Sequence, residues 1–478
     1  MILVHWPHIV FIVSVVAGAV AAIHATMTKN DVRAAIGWVG VILMSPLFGP
    51  FFYLIAGINR VRRDQISQQR DKALKEYFNV DAPTVDDVAP YSGPQFSSLR
   101  ILGDRVSRFP LRASNHIRML AGGDQAYPAM IAAIDEARET IGLQTYIFDD
   151  DPEGRKFVEA LARAQARGVE IRVLIDSIGS KYSRPPIIRR LHRHGIRVAL
   201  FMTNPLGMRM PYANLRSHRK ILVVDGRIGF TGGMNIRAGF VTAVAKEHTA
   251  GDTHFQVEGP IVLQLVSVFA HDWAFTTHET LPAETWCHDN WDTPQPRVPA
   301  RCVRSGPDRS IASTHNMLLG AFAVAQKHIR IQSPYFLPDQ MLLGAINTAA
   351  RRGIRVDIVI PGANNLRLIN YAMTAQLDQV IRNGCQVWRA RGNFNHSKLI
   401  TIDGAWSYVG SSNLDPRSLR LNFELDLEIY SRDMARDIER LIDAEIDGAQ
   451  AVTLDGLAKI PFRKRLRNKI IWLASPYL

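Results

Sequence analysis

The feature that most restricts this chain is a pattern written twice. His218-Arg-Lys220-Ile-Leu-Val-Val-Asp225 and His396-Ser-Lys398-Leu-Ile-Thr-Ile-Asp403 share the form H-x-K-x-x-x-x-D. Each is followed by a short glycine-led segment, Gly232-Gly-Met-Asn235 and Gly410-Ser-Ser-Asn413, and the His-to-Asn interval is 17 in both copies (235 − 218 and 413 − 396). Each copy also follows a strand, a helix, a glycine and a second strand. Residues 143–148, 157–167, Gly168 and 169–175 make the first unit; residues 329–336, 340–352, Gly353 and 354–360 make the second. A βαβ unit written twice predicts an α/β chain of two lobes related by internal repeat, each a mixed sheet flanked by helices. One H-x-K arises readily by chance; two in register within two repeats do not.

The spacing has a chemical reading. Residues i and i+2 of a strand share a face, so His218 with Lys220, and His396 with Lys398, are expected to enter one pocket. The following segments add Asn235 and Asn413 as amide donors, and Gly232 and Ser411 where backbone or a small side chain can approach a ligand. Two lysines, two asparagines and an imidazolium form a donor set for a phosphodiester anion. One neutral histidine can attack phosphorus while the other, protonated, serves the leaving oxygen. Asp225 and Asp403 complete the motif, but five residues from Lys is the opposite face of a strand, and Asp-Gly reads as a hairpin turn. A catalytic imidazole also needs an acceptor. Asp252, before the strand of lobe one, is paired here with His218, and Glu424, opening the matching strand of lobe two, with His396. The run Asp149-Asp-Asp151 reads as a turn or helix N-terminus. With no metal-ligand cluster, neither metal nor cofactor is expected, and Cys287, Cys302 and Cys385 read as free thiols.

The net charge of +13 favours anionic partners, nucleic acid or lipid, and the N-terminus separates them. No Asp, Glu, Lys or Arg occurs from Met1 to Thr28, and a second uncharged run extends from Ala34 to Asn59. Both are long enough for a transmembrane helical hairpin, with Pro46, Gly49 and Pro50 expected to kink the second helix. The connector carries Lys29 and Arg33, whereas Arg60, Arg62, Arg63, Arg70, Lys72 and Lys75 crowd the exit. The positive-inside rule then places both ends of the hairpin, and the lobes, in the cytoplasm.

The double motif resembles phospholipase D. Over nearly all 478 residues the chain is similar to the bacterial cardiolipin synthases of the phospholipase D type. The stretches that carry this are Ala35-Ile-Gly-Trp-Val to Asn59, Tyr146-Ile-Phe-Asp-Asp, Asn214-Leu-Arg-Ser-His-Arg-Lys220, Ser333-Pro-Tyr-Phe-Leu-Pro-Asp339 and Asn413-Leu-Asp-Pro-Arg-Ser-Leu-Arg-Leu-Asn-Phe-Glu424. The resemblance implies a multi-pass enzyme of the inner (cytoplasmic) membrane that condenses two phosphatidylglycerol molecules to cardiolipin and glycerol, with His218 as nucleophile and His396 as acid/base. The sequence itself does not decide between the two histidines. A phosphatidyltransferase of another headgroup, or a lipid-hydrolysing phospholipase D, would need the same residues. A nuclease of the superfamily would also be basic but gains nothing from a membrane hairpin, so no nucleic-acid partner is expected. One departure stands out: a Trp-Arg pair expected before Asp252-Thr-His254 is Ala250-Gly251 here. The organisation expected is two transmembrane helices (1–60), a basic juxtamembrane linker (61–111), lobe one (112–281), a Pro-rich linker (282–308), lobe two (309–455) and a basic segment (456–478). That last segment lies either on anionic headgroups or as a solvated helix on lobe two.

Overall fold

The computed structural model describes residues 2–29, 31–58, 82–203, 215–288, 291 and 293–475. The basic cluster from Arg60 to Lys75, and Asn214, lie outside these. The chain divides into two units, Met1–Arg62 and Arg63–Leu478.

In the first unit, helix α1 (Ile2–Thr28) has 27 residues, about 40 Å at 1.5 Å each. Its stretch His8–Thr28 has a mean hydropathy of 2.3, so length and composition allow it to cross a bilayer. The second apolar run departs from the expected spanning helix. Helix α2 (Val32–Met44) has 13 residues, about 20 Å, and stops before Pro46, which offers no backbone N–H to continue it. The chain turns over residues 46–48 and resumes as α3 (Gly49–Phe52) and a π-helical turn (Tyr53–Gly57). The contacts give its direction. A Cβ on Gly18 of α1 would lie 3.9 Å from both Ile42 and Pro46. Nearer the connector His24 Nδ1 is 2.8 Å from the Tyr53 hydroxyl, and at the connector Lys29 donates to the Gly57 carbonyl. The run therefore passes down α1 to the level of Gly18 and climbs back. It is a broken helical segment folded back along α1, with Ala25, Ile42 and Tyr53 forming a small buried cluster.

The second unit is built on two repeats of strands. The first gives β1 (Arg112–Ala121), β2 (Thr140–Thr145), β3 (Glu170–Asp176), β4 (Arg197–Phe201), β5 (Arg216–Ser217), β6 (Ile221–Val224), β7 (Ile228–Gly232) and β8 (Thr253–Glu258). The second gives β9 (Val298–Ser305), β10 (His328–Gln332), β11 (Arg355–Pro361), β12 (Gln386–Ala390), β13 (Leu399–Ile402), β14 (Trp406–Gly410), β15 (Asn422–Tyr430) and β16 (Gln450–Ala451). The ladder order is β16-β12-β11-β10-β13-β14-β15-β9-β1-β8-β7-β6-β2-β3-β4. The βαβ crossovers make β2-β3-β4 and β10-β11-β12 parallel, while hairpins make the middle antiparallel. Helices α4 (Pro152–Ala166) and α6 (Gln340–Arg351) make the β2–β3 and β10–β11 crossovers and α7 (Arg367–Gln376) lies in the β11–β12 crossover, with α5 (Ile261–Thr277) between the lobes' crossovers in chain order. Asp151 caps α4 through Gly154 N, as read from sequence, and Gly168 and Gly353, which follow the crossover helices, have φ of +89° and +86°.

Three other expectations change. Part of the 282–308 linker is strand β9, buried along its whole length and paired with β15 and β1; it joins the two sheets. The 61–111 linker contains a helix, Ser97–Val106, packed through Leu99 on the core of lobe two. Lastly, the H-x-K triplets are not inside strands. Residues 218–220 and 396–398 are extended segments leading into β6 and β13.

Asp225 and Asp403 are far from the motif's chemistry. Each is the first central residue of an Asp-Gly turn with positive φ at both positions (51° and 59°; 55° and 60°), as a type I′ hairpin requires. The Asp225 carboxylate accepts from the backbone N–H of Arg138, Glu139 and Thr140, and Asp403 from Gln326, Lys327 and His328. Both aspartates cap the start of a neighbouring strand, so their place in the motif is structural.

Candidate active site

The two histidines meet in one pocket because each approach segment pairs with the opposite lobe. Strand β5, just before His218, runs parallel to the start of β15, and His218 N donates to Phe423 O at 2.9 Å. Reciprocally, Asn395 bridges Gly251, and His396 N donates to Gly251 O at 2.7 Å. The residue after each acceptor carbonyl is the acid, and this crosses the expected pairing. His218 Nδ1 lies 2.9 Å from Glu424 Oε2, and His396 Nδ1 lies 3.0 Å from Asp252 Oδ2. The assignment of Asp252 to His218 and Glu424 to His396 is therefore corrected. Reading along one lobe finds the right acids but not the exchange, because the pairing that decides it is between lobes.

With Nδ1 held by a carboxylate, Nε2 is the ring nitrogen left for chemistry in each histidine. The ring centroids are 6.3 Å apart and nearly perpendicular, at 81°. Both histidines line a cavity of about 770 Å³ with Asn235 and Asn413. Glu424 is fully buried and also accepts from Ser411 Oγ (2.6 Å), Ser418 Oγ (2.9 Å) and Asn422 Nδ2 (3.0 Å). Ser411 thus supports the acid, and its carbonyl oxygen also lies 3.1 Å from His218 Nδ1. Gly232 serves another need than ligand approach: a Cβ there would sit 2.7 Å from Thr253 O and from His254 Nδ1. Asn235 Oδ1 accepts from Ile147 N, and Asn413 Nδ2 donates to Ser418 Oγ.

The electrostatics are those of a site short of negative charge. Burial, then Lys220 and Lys398, hold the His218 imidazole well below its ordinary value. Burial, then Lys398, bring His396 to about 4, against the hydrogen bond that Asp252 accepts from it. Burial also lowers the lysines, Lys220 to about 7 and Lys398 to about 8. The Asp252 carboxyl, which burial alone would raise, is held below its usual range by Lys398 and His396. Glu424 is raised by burial against the pull of Lys220. An anion entering among these groups favours every protonated cation, so binding is coupled to proton uptake.

Several supporting residues are not visible as motif. Arg219, between His218 and Lys220, is fully buried and bidentate to Asp272 of α5 at 2.8 and 2.7 Å. Breaking such a pair costs about 3–5 kcal/mol, so it anchors the triplet. Gln144 joins Asp272 to Ser217 at 2.7 Å each. In lobe two Ser397 stands at the position of Arg219, and its hydroxyl meets Thr253 at 2.9 Å. Tyr146 and Tyr335 follow strands β2 and β10 and line the pocket, with ring centroids 5.4 Å from His218 and 6.0 Å from His396. Among the described residues no three His, Cys, Asp or Glu side chains converge as a metal site, and all three cysteines are free thiols.

Comparison with known proteins agrees with this architecture. The family described as "Cardiolipin synthase, PLD-like domain" matches residues 130–273 and 318–446, and "Phospholipase_D-nuclease N-terminal" matches 16–57. Cardiolipin synthase A of Pseudomonas entomophila (strain L48) is 31% identical over 469 residues, covering 96% of each chain. That of Pseudomonas aeruginosa (strain LESB58) is 31% identical over 97% of this chain and 94% of its own. Among solved structures, the phosphatidylserine synthase of Haemophilus influenzae Rd KW20 shares the fold, with a TM-score of 0.61 at 16% identity over 80% of this chain and 100% of that one. Both lobes and the N-terminal unit are accounted for, and the chain belongs to the cardiolipin synthase family of phospholipase D-type phosphatidyltransferases.

Proposed function

We propose that the enzyme condenses two phosphatidylglycerol molecules into cardiolipin and glycerol through a phosphohistidine. The observation that carries this is the pair of imidazoles 6.3 Å apart, each oriented by a carboxylate from the opposite lobe. In the first step a neutral histidine attacks phosphorus through Nε2, and the N–P bond forms as the bond to the glycerol oxygen breaks. The second histidine, protonated once the phosphodiester is bound, donates to that oxygen. In the second step the same imidazole takes the proton of an incoming lipid hydroxyl, whose oxygen displaces the histidine. Lys220, Lys398, Asn235 and Asn413 offset charge on the phosphoryl oxygens. One phosphodiester replaces another, so no nucleotide is needed. Incubating the purified protein with phosphatidylglycerol and EDTA, then resolving lipids by mass, tests the reading. Cardiolipin with stoichiometric glycerol is expected. Phosphatidic acid alone would make it a hydrolase, and activity restored only by magnesium would refute the metal-free mechanism.

The membrane arrangement supports a lipid substrate. With the second apolar run folded back along α1, its last described residue, Ile58, lies at the same end of that helix as the connector with Lys29 and Arg33. That end stands at one face of a bilayer that α1 crosses, and the basic residues from Arg60 follow in sequence. The positive-inside rule makes that face cytoplasmic and puts the N-terminus on the other side. Helix α9 (Phe462–Leu473) is the membrane-surface element of the basic C-terminal segment. Phe462, Leu466, Ile470 and Leu473 are 68, 47, 58 and 71% exposed. At 3.6 residues per turn they fall within about 80° of arc, flanked by Arg463 and Arg467 on one edge and Arg465 and Lys469 on the other. The opposite face packs on lobe two through Ile471 and Trp472, with Arg467 stacked 3.6 Å over Tyr371. The helix thus packs on lobe two and leaves its other face outward. One apolar face, rimmed by cations, suits anionic headgroups. In intact spheroplasts an N-terminal epitope tag should be cleaved by external protease and a C-terminal tag protected. Leu466→Glu with Ile470→Glu should lower turnover several-fold on bilayer substrate and little on monomeric short-chain substrate. Tags on the same side would restore a two-span hairpin, and equal loss on both substrates would remove the surface role of α9.

A further inference from the structure

The catalytic groups are nearly two-fold symmetric, but the walls around them are not. Each approach segment makes a corner of the pocket where it crosses to the opposite lobe. At the first corner Arg216 pairs with Asn422, and helix α8 (Pro416–Arg420) immediately precedes that strand and presents Arg417 to the cavity. At the second corner, the positions equivalent by repeat are Phe394 for Arg216 and Gly239 for Arg417. The Phe394 ring there stands 5.7 Å from His396. The family's expected arginine is also missing from this second corner, where Gly251 bridges Asn395. One corner thus carries two arginines, whereas the other has an aromatic ring and, in Arg237, a single arginine already paired with Asp149.

The acids that line the pocket have partners of their own. Asp149 is paired with Arg237 at 3.0 Å, Asp151 caps α4, and the Asp415 carboxylate accepts from Ser418 N at 2.8 Å. Among the described residues Arg417 has no carboxylate partner. Burial holds the Arg216 guanidinium below its ordinary value, and Arg417 adds to this against the pull of Asp176.

We infer that this corner is an anion subsite for the phosphodiester of the second, acceptor lipid. The inference rests on the condensation reading above and adds to it which wall receives the acceptor. An acceptor phosphatidylglycerol carries its own phosphate one glycerol length from the hydroxyl that attacks. When that hydroxyl reaches the phosphohistidine, a second anion must therefore be held just beyond the reacting phosphorus. Arg216 and Arg417 supply that place, with guanidinium forks suited to phosphate oxygens. An uncharged alcohol presents the same hydroxyl and no second anion.

Both acceptors draw on one phosphoenzyme, so their product ratio isolates acceptor binding from all earlier steps. Full-length enzyme is incubated with phosphatidylglycerol and a fixed concentration of 1-butanol, and cardiolipin and phosphatidylbutanol are quantified. Arg417→Gln should lower the cardiolipin-to-phosphatidylbutanol ratio tenfold or more, and Arg216→Gln should lower it in the same direction. Arg417→Lys, which keeps the charge, should recover most of the wild-type ratio. A ratio unchanged in both glutamine variants, with wild-type enzyme making cardiolipin, overturns the subsite alone. Wild-type enzyme that makes phosphatidylbutanol but no cardiolipin overturns the condensation reading and the subsite with it.

Discussion

His218→Ala and His396→Ala are each expected to lower turnover by about 10³-fold or more, and the double variant to be no worse than either single one. The argument is geometric. Neither lobe holds a complete site: His218 is oriented by Glu424 of lobe two, and His396 by Asp252 of lobe one. If the lobes were separate half-sites, each would retain activity when the other was disabled, and losses would multiply in the double variant. A shared site loses its nucleophile or its acid/base in a single step, after which removing the second partner has little left to take. Rates of cardiolipin formation for the four proteins, matched for folding by circular dichroism, decide the matter. Turnover within tenfold of wild type in either single variant would exclude one shared centre. Trapping adds a second readout. Labelled phosphate should survive denaturation on one histidine variant and not on the other, because only the nucleophile can carry it.

The repeat, the triplets and the supporting asparagines are legible in the sequence because each is local. A glycine ending a helix and an aspartate before Pro152 act over a few residues, and the structure has both; the triplets share the pocket that their spacing implies, although they lie just ahead of the strands. Asp-Gly at 225–226 and 403–404 is legible for the same reason, since a turn needs only its own residues. What is not legible depends on partners far away in sequence. The exchange of acids follows from β5 pairing with β15 and from the Gly251–Asn395 bridge, and no property of Asp252 or Glu424 alone announces it. Strand β9 is hidden by its Pro-rich surroundings, although its burial between β15 and β1 makes it central. The folded-back segment shows the same limit in a membrane setting. Hydropathy counts enough apolar residues between Ala34 and Asn59 for a span. Pro46 and the contacts of Tyr53 and Gly57 with α1 decide that the run turns back. Arg219 is a further case: a charged residue between His218 and Lys220 would be assigned to solvent, and the Asp272 carboxylate of α5 explains its complete burial.

Glu424→Gln and Asp252→Asn are expected to lower turnover by roughly 10²–10⁴-fold, the range for removing the charge from a buried carboxylate that fixes an imidazole tautomer, and to move different limbs of the pH–rate profile. The sign follows from the pairs observed. A carboxylate at Nδ1 favours the charged imidazole, so its amide lowers the pKa of that histidine. Glu424→Gln therefore acts on His218, and Asp252→Asn on His396, which is already at about 4 in the empty site. The acid/base histidine must be protonated for the first step. Lowering its pKa loses that form sooner as pH rises, so the alkaline limb moves to lower pH. The nucleophile must be neutral. Lowering its pKa keeps it neutral further into acid, so the acid limb moves to lower pH instead. Both variants shift the profile toward acid, each through one limb, and the variant that moves the alkaline limb names the acid/base histidine. If His218 is the nucleophile, as the family resemblance implies, that variant is Asp252→Asn. Asp225→Asn and Asp403→Asn provide the contrast. Each aspartate accepts three backbone N–H groups at a turn, so these variants should cost on the order of 1–2 kcal/mol of stability and leave both limbs in place. Profiles in which the turn aspartates move the limbs, while Glu424 and Asp252 do not, would be incompatible with the crossed pairing.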